Sequence, residues 1–233
     1  VIPSLRSRSA LCFRRDAGAD RAEPPTWGLR FLITETEGGK GMSYNFFAYI
    51  ARMKYISRWG LMRNAVQENI QEHSHMVAVL AHTLAVIRRD VLGVDCDPGA
   101  AAVAALYHDA PEIFTGDLPT PVKYYNPEIR DAYKAVEAVS ADKLMSMLPP
   151  ELRPAYAPWL REDYDPSLHA LVKAADKLSA HIKCVEEVKA GNNEFRQAAG
   201  QTLEAVEAMG LPEVDYFIEH FLPAFGLTLD ELQ

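Results

Sequence analysis

Four times in this chain a proline stands directly behind the residue that opens a periodic segment: Asp97-Pro98, Asn126-Pro127, Asp165-Pro166 and Leu211-Pro212. A helix does not need the N–H of its first residue, so proline is tolerated there, and an Asp or Asn just before it caps the free amides that follow. Gly191 and Gly210 stand after long periodic runs, where a left-handed C-terminal residue is wanted, and Pro149-Pro150 stops another run. Between these marks apolar residues recur at three and four. Val77, Leu80, Leu84 and Ile87 form one stripe, and Leu168, Leu171, Val172, Ala175, Leu178, Ile182 and Val185 form another. No alternating strand pattern competes with them. The spacing predicts helices over 44–57, 72–90, 98–110, 127–148, 151–161, 166–190, 193–209 and 212–222, and hence one all-α domain over residues 42–233.

The first 41 residues read differently. Seven basic side chains face five acidic ones there, while the whole chain carries a formal charge of −8, and no helical or strand period is sustained. The stretch is expected to be a poorly structured N-terminal extension outside the fold; a targeting peptide is the other reading, weakened by acidic residues from Asp16 onward. The acidic balance excludes a nucleic-acid polymer as partner. No apolar run approaches the ~20 residues that cross a bilayer. The three cysteines, Cys12, Cys96 and Cys184, form no close pair, which points to a reducing cytoplasm.

Four polar residues fall on predicted helices near their apolar stripes: His73, the doublet His108-Asp109, and Asp176. His73 lies four before Val77 and seven before Leu80, on the core-facing stripe. Asp176 borders the stripe of its own helix, where a carboxylate is costly unless something positive neutralises it. Two imidazoles and two carboxylates suit Mn²⁺, Co²⁺, Fe²⁺, Ni²⁺ or Zn²⁺ better than Ca²⁺. By spacing alone a satisfied core histidine and a capping or ion-paired aspartate remain open. His75 and His82 lie about 200° and 180° around the helix from His73 and point elsewhere. His169 shares a face with Asp176 but is about 10.5 Å away along the axis, too far for one ion.

Two further stretches bear on ligands. From Gly41 to Gln67 there is no acidic residue, yet Arg52, Lys54, Arg58 and Arg63 are present. Such a patch beside a metal attracts a small phosphate dianion while the bulk charge repels polymers; a solvated basic helix face is the plainer reading for Arg52 and Lys54. In Thr115–Lys123, Pro119 and Pro121 restrict Leu118 and Thr120 to extended backbone, so the stretch is expected to be a stiff loop.

The order His73, His108-Asp109, Asp176 resembles the signature of HD-domain metal-dependent phosphohydrolases. The blocks Arg58-Trp59, Leu61-Met62-Arg63-Asn64, Glu68-Asn69, Glu72-His73-Ser74, Tyr107-His108-Asp109-Ala110, Gly116-Asp117-Leu118-Pro119-Thr120-Pro121-Val122-Lys123 and Ala190-Gly191-Asn192-Asn193-Glu194-Phe195 are similar to the bacterial 5′-deoxynucleotidase family, over about residues 44–230. The resemblance implies an HD-domain helical bundle and hydrolysis of 2′-deoxyribonucleoside 5′-monophosphates to deoxynucleoside and phosphate. It implies that His73, His108, Asp109 and Asp176 hold one divalent transition metal, Co²⁺ or Mn²⁺ foremost, with Zn²⁺, Cu²⁺, Ni²⁺ or Fe²⁺ as alternatives. Arg58 then binds and orients the phosphate, with Asp109 and Asp176 in reach of it, and Trp59 packs near the sugar and helps exclude a 2′-hydroxyl. Asp117, Leu118, Pro119 and Thr120 line the nucleoside site. Glu112 matches the acidic residue near the attacking water, and either Glu112 or Asp109 moves the proton. Pro111 departs from the family's usual small polar residue and is expected to end or kink the helix after the doublet. A homodimer in the cytoplasm completes the implied picture. Alternatives are an HD phosphohydrolase acting on a deoxynucleoside triphosphate or cyclic nucleotide, and a non-catalytic HD binding module.

Overall fold

A computed structural model describes residues 43–123 and 125–233, giving Thr120 as backbone only. Expectations about residues 1–41, Cys12 among them, lie outside the described residues, as does the side chain of Thr120. Ten α-helices are present among the described residues: α1 Phe46–Ile50, α2 Ile70–Val86, α3 Pro98–Tyr107, α4 Glu112–Thr115, α5 Thr120–Lys123, α6 Pro127–Ser146, α7 Arg153–Leu160, α8 Pro166–Lys189, α9 Arg196–Glu207 and α10 Pro212–His220. The only extended pairing among these residues is an isolated antiparallel bridge between Ser57 and Asn69.

The expected caps form. Asp97, Asn126 and Asp165 each accept backbone N–H groups at the start of α3, α6 and α8, and a proline follows each. α2 starts two residues earlier than its periodicity predicts, because Asn69 and Glu72 make a capping box. The Asn69 side chain accepts from the N–H of Gln71 and Glu72, and Glu72 accepts from the Asn69 N–H.

Three expectations are corrected. The helix predicted over 44–57 is the five-residue α1 followed by a 3-10 turn at Met53–Tyr55. Its continuation is lost because Arg58 N–H donates to Glu68 O at 2.9 Å and Ile70 N–H to Ile56 O at 3.0 Å, which closes a loop over 58–68. The helix predicted over 98–110 ends at Tyr107, and Pro111 stands before the separate turn α4. The stiff loop over 115–123 contains a helical turn, α5, with Val122 and Lys123 N–H donating to Pro119 O. Pro121 sits in its first turn, where its missing N–H costs nothing.

α2 packs against α3 and α8, and α8 packs against α9. Their buried faces, including Val77, Leu84, Ala101, Ala105, Leu171 and Leu178, make one apolar cluster. A second cluster joins Phe46, Ala110, Leu144, Leu148 and Leu160. His108 and Asp109 sit at the seam, between Ala105 of the first cluster and Ala110 of the second.

Candidate metal centre

Three helices deliver the expected ligands to one point. His73 lies in the first turns of α2, His108 closes α3, and Asp176 stands mid-way along α8. Ligand atoms of these three residues all lie within 4.8 Å of one another. His73 Nε2 is 3.1 Å from Asp176 Oδ1 and 3.6 Å from Asp109 Oδ2, and His108 Nε2 is 3.2 Å from Asp109 Oδ2. The imidazoles are sealed, with side-chain exposures of 0% and 1%, whereas Asp109 and Asp176 keep 20% and 32%. The carboxylates therefore form the mouth of the cluster.

Each ring is oriented through its outer nitrogen. His108 Nδ1 donates to the Ala105 carbonyl at 2.7 Å, which leaves Nε2 unprotonated in the neutral ring, and His73 Nδ1 is hydrogen-bonded to Ser179 Oγ at 3.1 Å. Burial and then the Arg58 charge pull the His73 imidazole down, toward the neutral form that binds metal. Burial opposes charge on His108 too, but Asp109 beside it outweighs this and holds its proton on. Burial pushes Asp109 and Asp176 up, yet the two imidazoles overcome it and keep both carboxyls well below the usual range. A cation at this point replaces that shared proton as the positive partner. The donor set fits a borderline divalent ion, and His108 Nε2, buried without a hydrogen-bond partner, is the atom such an ion would satisfy.

Arg58 acts on the same centre: its charge lowers both His73 and Asp109. Its Nη1 is buried without a hydrogen-bond partner, 3.8 Å from Glu68 Oε2. Trp59 follows with φ 59°, in the left-handed region where a bulky side chain is an outlier. Its indole N–H donates to Glu68 Oε2 at 3.1 Å, and its ring packs on Phe195 with centroids 5.3 Å apart. Glu112 is buried, and its Oε2 also lacks a partner. Burial, with Asp109 and Asp117 nearby, pushes its carboxyl up to about 9. Asp117 is half-buried and raised by burial, while Arg58 draws it back down. Leu118 and Pro119 are half-buried beside it.

Other sequence candidates lie elsewhere. Arg52 and Lys54 are exposed over the Tyr55 ring, and Arg63 pairs with Glu194 at the surface. His75 and His82 are exposed, and His169 pairs with Glu162 at 3.0 Å. Sequence reasoning missed Glu68 as the partner of Arg58 and Trp59, and missed Ser179, although Ser179 lies one turn after Asp176 on the same face of α8. It also missed Lys173, one turn before Asp176. A cavity of about 590 Å³ opens beside His108, Asp109 and Glu112 and extends past Lys123, Lys173 and His169. Arg58, Trp59 and Asp117 are not in its lining.

A family model described as 5′-deoxynucleotidase YfbR-like matches residues 45–225. The 5′-deoxynucleotidase of Erwinia tasmaniensis is 48% identical over 189 residues, 81% of this chain and 96% of that protein. The 5′-deoxynucleotidase YfbR of Escherichia coli is 48% identical over 189 residues, 81% and 95% of the two chains. Among solved structures, an HD-domain phosphohydrolase from Listeria innocua superposes with a TM-score of 0.68 at 25% identity, covering 78% of this chain and 88% of that one. The cyanophage S-2L HD phosphohydrolase DatZ, bound to dA and one catalytic Zn²⁺, shares the fold with a TM-score of 0.55 at 21% identity, covering 76% and 95%. The helical architecture is thus that of the HD domain. A family match that begins on the residue before α1 and runs through α10, together with relatives identical at nearly half their positions, means that this chain belongs to the YfbR-like 5′-deoxynucleotidase family of HD-domain phosphohydrolases.

Proposed function

We propose that this chain is a metal-dependent phosphomonoesterase that hydrolyses 2′-deoxyribonucleoside 5′-monophosphates to the deoxynucleoside and inorganic phosphate. One observation carries the reading. Three buried polar atoms without a hydrogen-bond partner, Arg58 Nη1, His108 Nε2 and Glu112 Oε2, belong to residues gathered about the His73–His108–Asp176 cluster. Their chemistry is complementary to a phosphate oxygen, a metal ion and an ester or water oxygen, in that order. The names of the relatives from E. tasmaniensis and E. coli support the substrate class.

In this reading His73, His108, Asp109 and Asp176 hold one divalent cation. Bound there, the cation supplies Lewis acidity, lowering the pKa of a water and drawing charge from a phosphate oxygen. Arg58 offers its planar fork to the remaining phosphate oxygens. Asp109 and Asp176, at the mouth, border the phosphate. Trp59 packs against the sugar, and Asp117, Leu118, Pro119 and Thr120 line the nucleoside site. Glu112 handles the proton better than Asp109. A carboxyl near 9 is protonated at neutral pH and can exchange its proton with the neighbouring water, whereas Asp109 stays ionised. The ion is Co²⁺ or Mn²⁺, with Zn²⁺, the ion in DatZ, Cu²⁺, Ni²⁺ and Fe²⁺ as alternatives.

The catalytic domain is residues 42–233, and 1–41 is an extension outside it; the start of the family match at residue 45 supports the boundary. The assembly is a homodimer, checked by a light-scattering mass of twice 26.0 kDa. Cytoplasmic residence accords with the unpaired thiols Cys96 and Cys184, and no described helix is long and apolar enough to cross a membrane.

A phosphate-release panel tests the reading, with deoxy- and ribonucleoside monophosphates, deoxynucleoside triphosphates and cyclic nucleotides, each with Co²⁺, Mn²⁺ and Zn²⁺. Deoxynucleoside monophosphates are expected to turn over fastest. Asp176→Ala is expected to lose bound metal and turnover together; full turnover by that variant overturns the assignment.

A further inference from the structure

The loop that carries Arg58 and Trp59 is gripped at its far end by a buried ion pair with no part in the chemistry above. Glu187 and Lys183 lie one turn apart on α8, with side-chain exposures of 1% and 7%. Glu187 Oε2 accepts the Ala65 N–H at 2.8 Å, and Oε1 accepts the Val66 N–H at 3.1 Å. Lys183 Nζ donates both to Glu187 Oε1 and to the Val66 carbonyl. Just past α8, Gly191 turns the chain with φ 86°, and Asn192 donates its amide to Arg63 O and to Glu187 Oε2, each at 2.7 Å. The next turn supplies Phe195, fully buried, on which the Trp59 ring rests. The α8–α9 corner therefore fixes the backbone of 63–66 and the indole of Trp59 at once.

Burying two charges is expensive, and an apolar pair would fill the same volume at lower cost. What the ion pair adds is a set of directional contacts to the backbone of this loop. The loop needs them, because Trp59 is held in a strained conformation that persists only when its surroundings over-determine it. We propose that Glu187, acting with Lys183 and Asn192, is a positioning residue for substrate selection: it holds the loop in the register that offers Arg58 to the phosphate and Trp59 to the sugar, and so sets the preference for 2′-deoxyribose over ribose. The inference rests on the function proposed above.

Steady-state kinetics of the full chain with metal, on one deoxynucleoside 5′-monophosphate and its ribose counterpart, tests it. In Glu187→Ala the KM for the deoxy substrate is expected to rise about tenfold with kcat within about threefold, and the deoxy-to-ribo ratio of kcat/KM to fall about tenfold, at unchanged metal content. Glu187→Gln, which keeps one acceptor oxygen for the loop, is expected between the two. If Glu187→Ala does not fold, Asn192→Ala, which removes three hydrogen bonds and no charge, decides, with an expected fall in the ratio of about threefold. An unchanged ratio in the folded variant overturns the proposal, even where thermal stability drops. Absence of deoxy preference in the unmodified chain overturns the proposed function first, and this inference with it.

Discussion

Each metal-facing imidazole here is aimed through its second nitrogen, and the two anchors differ in kind. His108 leans on a backbone carbonyl within its own helix, a partner no side-chain substitution removes. His73 leans on Ser179 of α8, a side chain that the resemblance to known enzymes did not mark. Outer partners of this type usually cost about 10–100-fold in metal affinity when lost. Ser179→Ala is therefore expected to weaken metal binding by about tenfold, measured by titration of the metal-stripped chain, and to lower the melting temperature by a few degrees because His73 Nδ1 is left buried and unpaired. Ser179→Thr, which keeps the hydroxyl, is expected to retain most of the affinity. Equal affinity in Ser179→Ala would mean that packing alone orients the ring.

At the scale of elements, the sequence was most legible where a helix has a cap and a stripe. α2, α3, α6 and α8 carry both, and three of them bring the metal-facing residues together because His73 and Asp176 border stripes buried in one cluster. Reading failed where long-range bonds override local preference. The run 51–57 carries no breaker and reads as helix, yet it gives only a 3-10 turn before the bridge from Ser57 to Asn69, which closes the loop over 58–68 that Glu187 grips at Ala65 and Val66. The partner of that loop lies more than a hundred residues away, so no local pattern announces it. The same grip gives a pH signature. Burial raises the Glu187 carboxyl, but Lys183, the Ala65 N–H, Asn192 and the Val66 N–H together pull it down to about 2. A carboxyl lowered on folding stabilises the native state above its ordinary value of 4.5 and loses that contribution as pH falls toward 2. Denaturant midpoints are expected to decline over that window, and to decline less steeply in Glu187→Gln; equal slopes would remove Glu187 as a source of the acid sensitivity.

At the scale of the whole molecule, the centre depends on a seam. The doublet His108-Asp109 sits between one cluster built on α2, α3 and α8, which sets the distance between His108 and Asp176, and another built on α1, α6 and α7, which holds Ala110 just after the doublet. Leu178 is fully buried in the first cluster, two residues beyond Asp176. Leu178→Ala is expected to lower unfolding free energy by about 2–5 kcal/mol and to weaken metal binding as well, because the cavity loosens the packing of α8, the helix that carries Asp176. Residues 1–41 raise the question of where the working domain begins. The E. coli relative is matched over 95% of its length by 189 residues of this chain, so that protein completes its fold with no counterpart to so long a leading segment. A chain starting at Met42 is therefore expected to melt in a single transition and to keep kcat and KM within about twofold. Phosphate release and calorimetry on the shortened and full chains decide it: a drop of tenfold or a lost transition would make the extension part of the working enzyme, and the domain boundary would move with it.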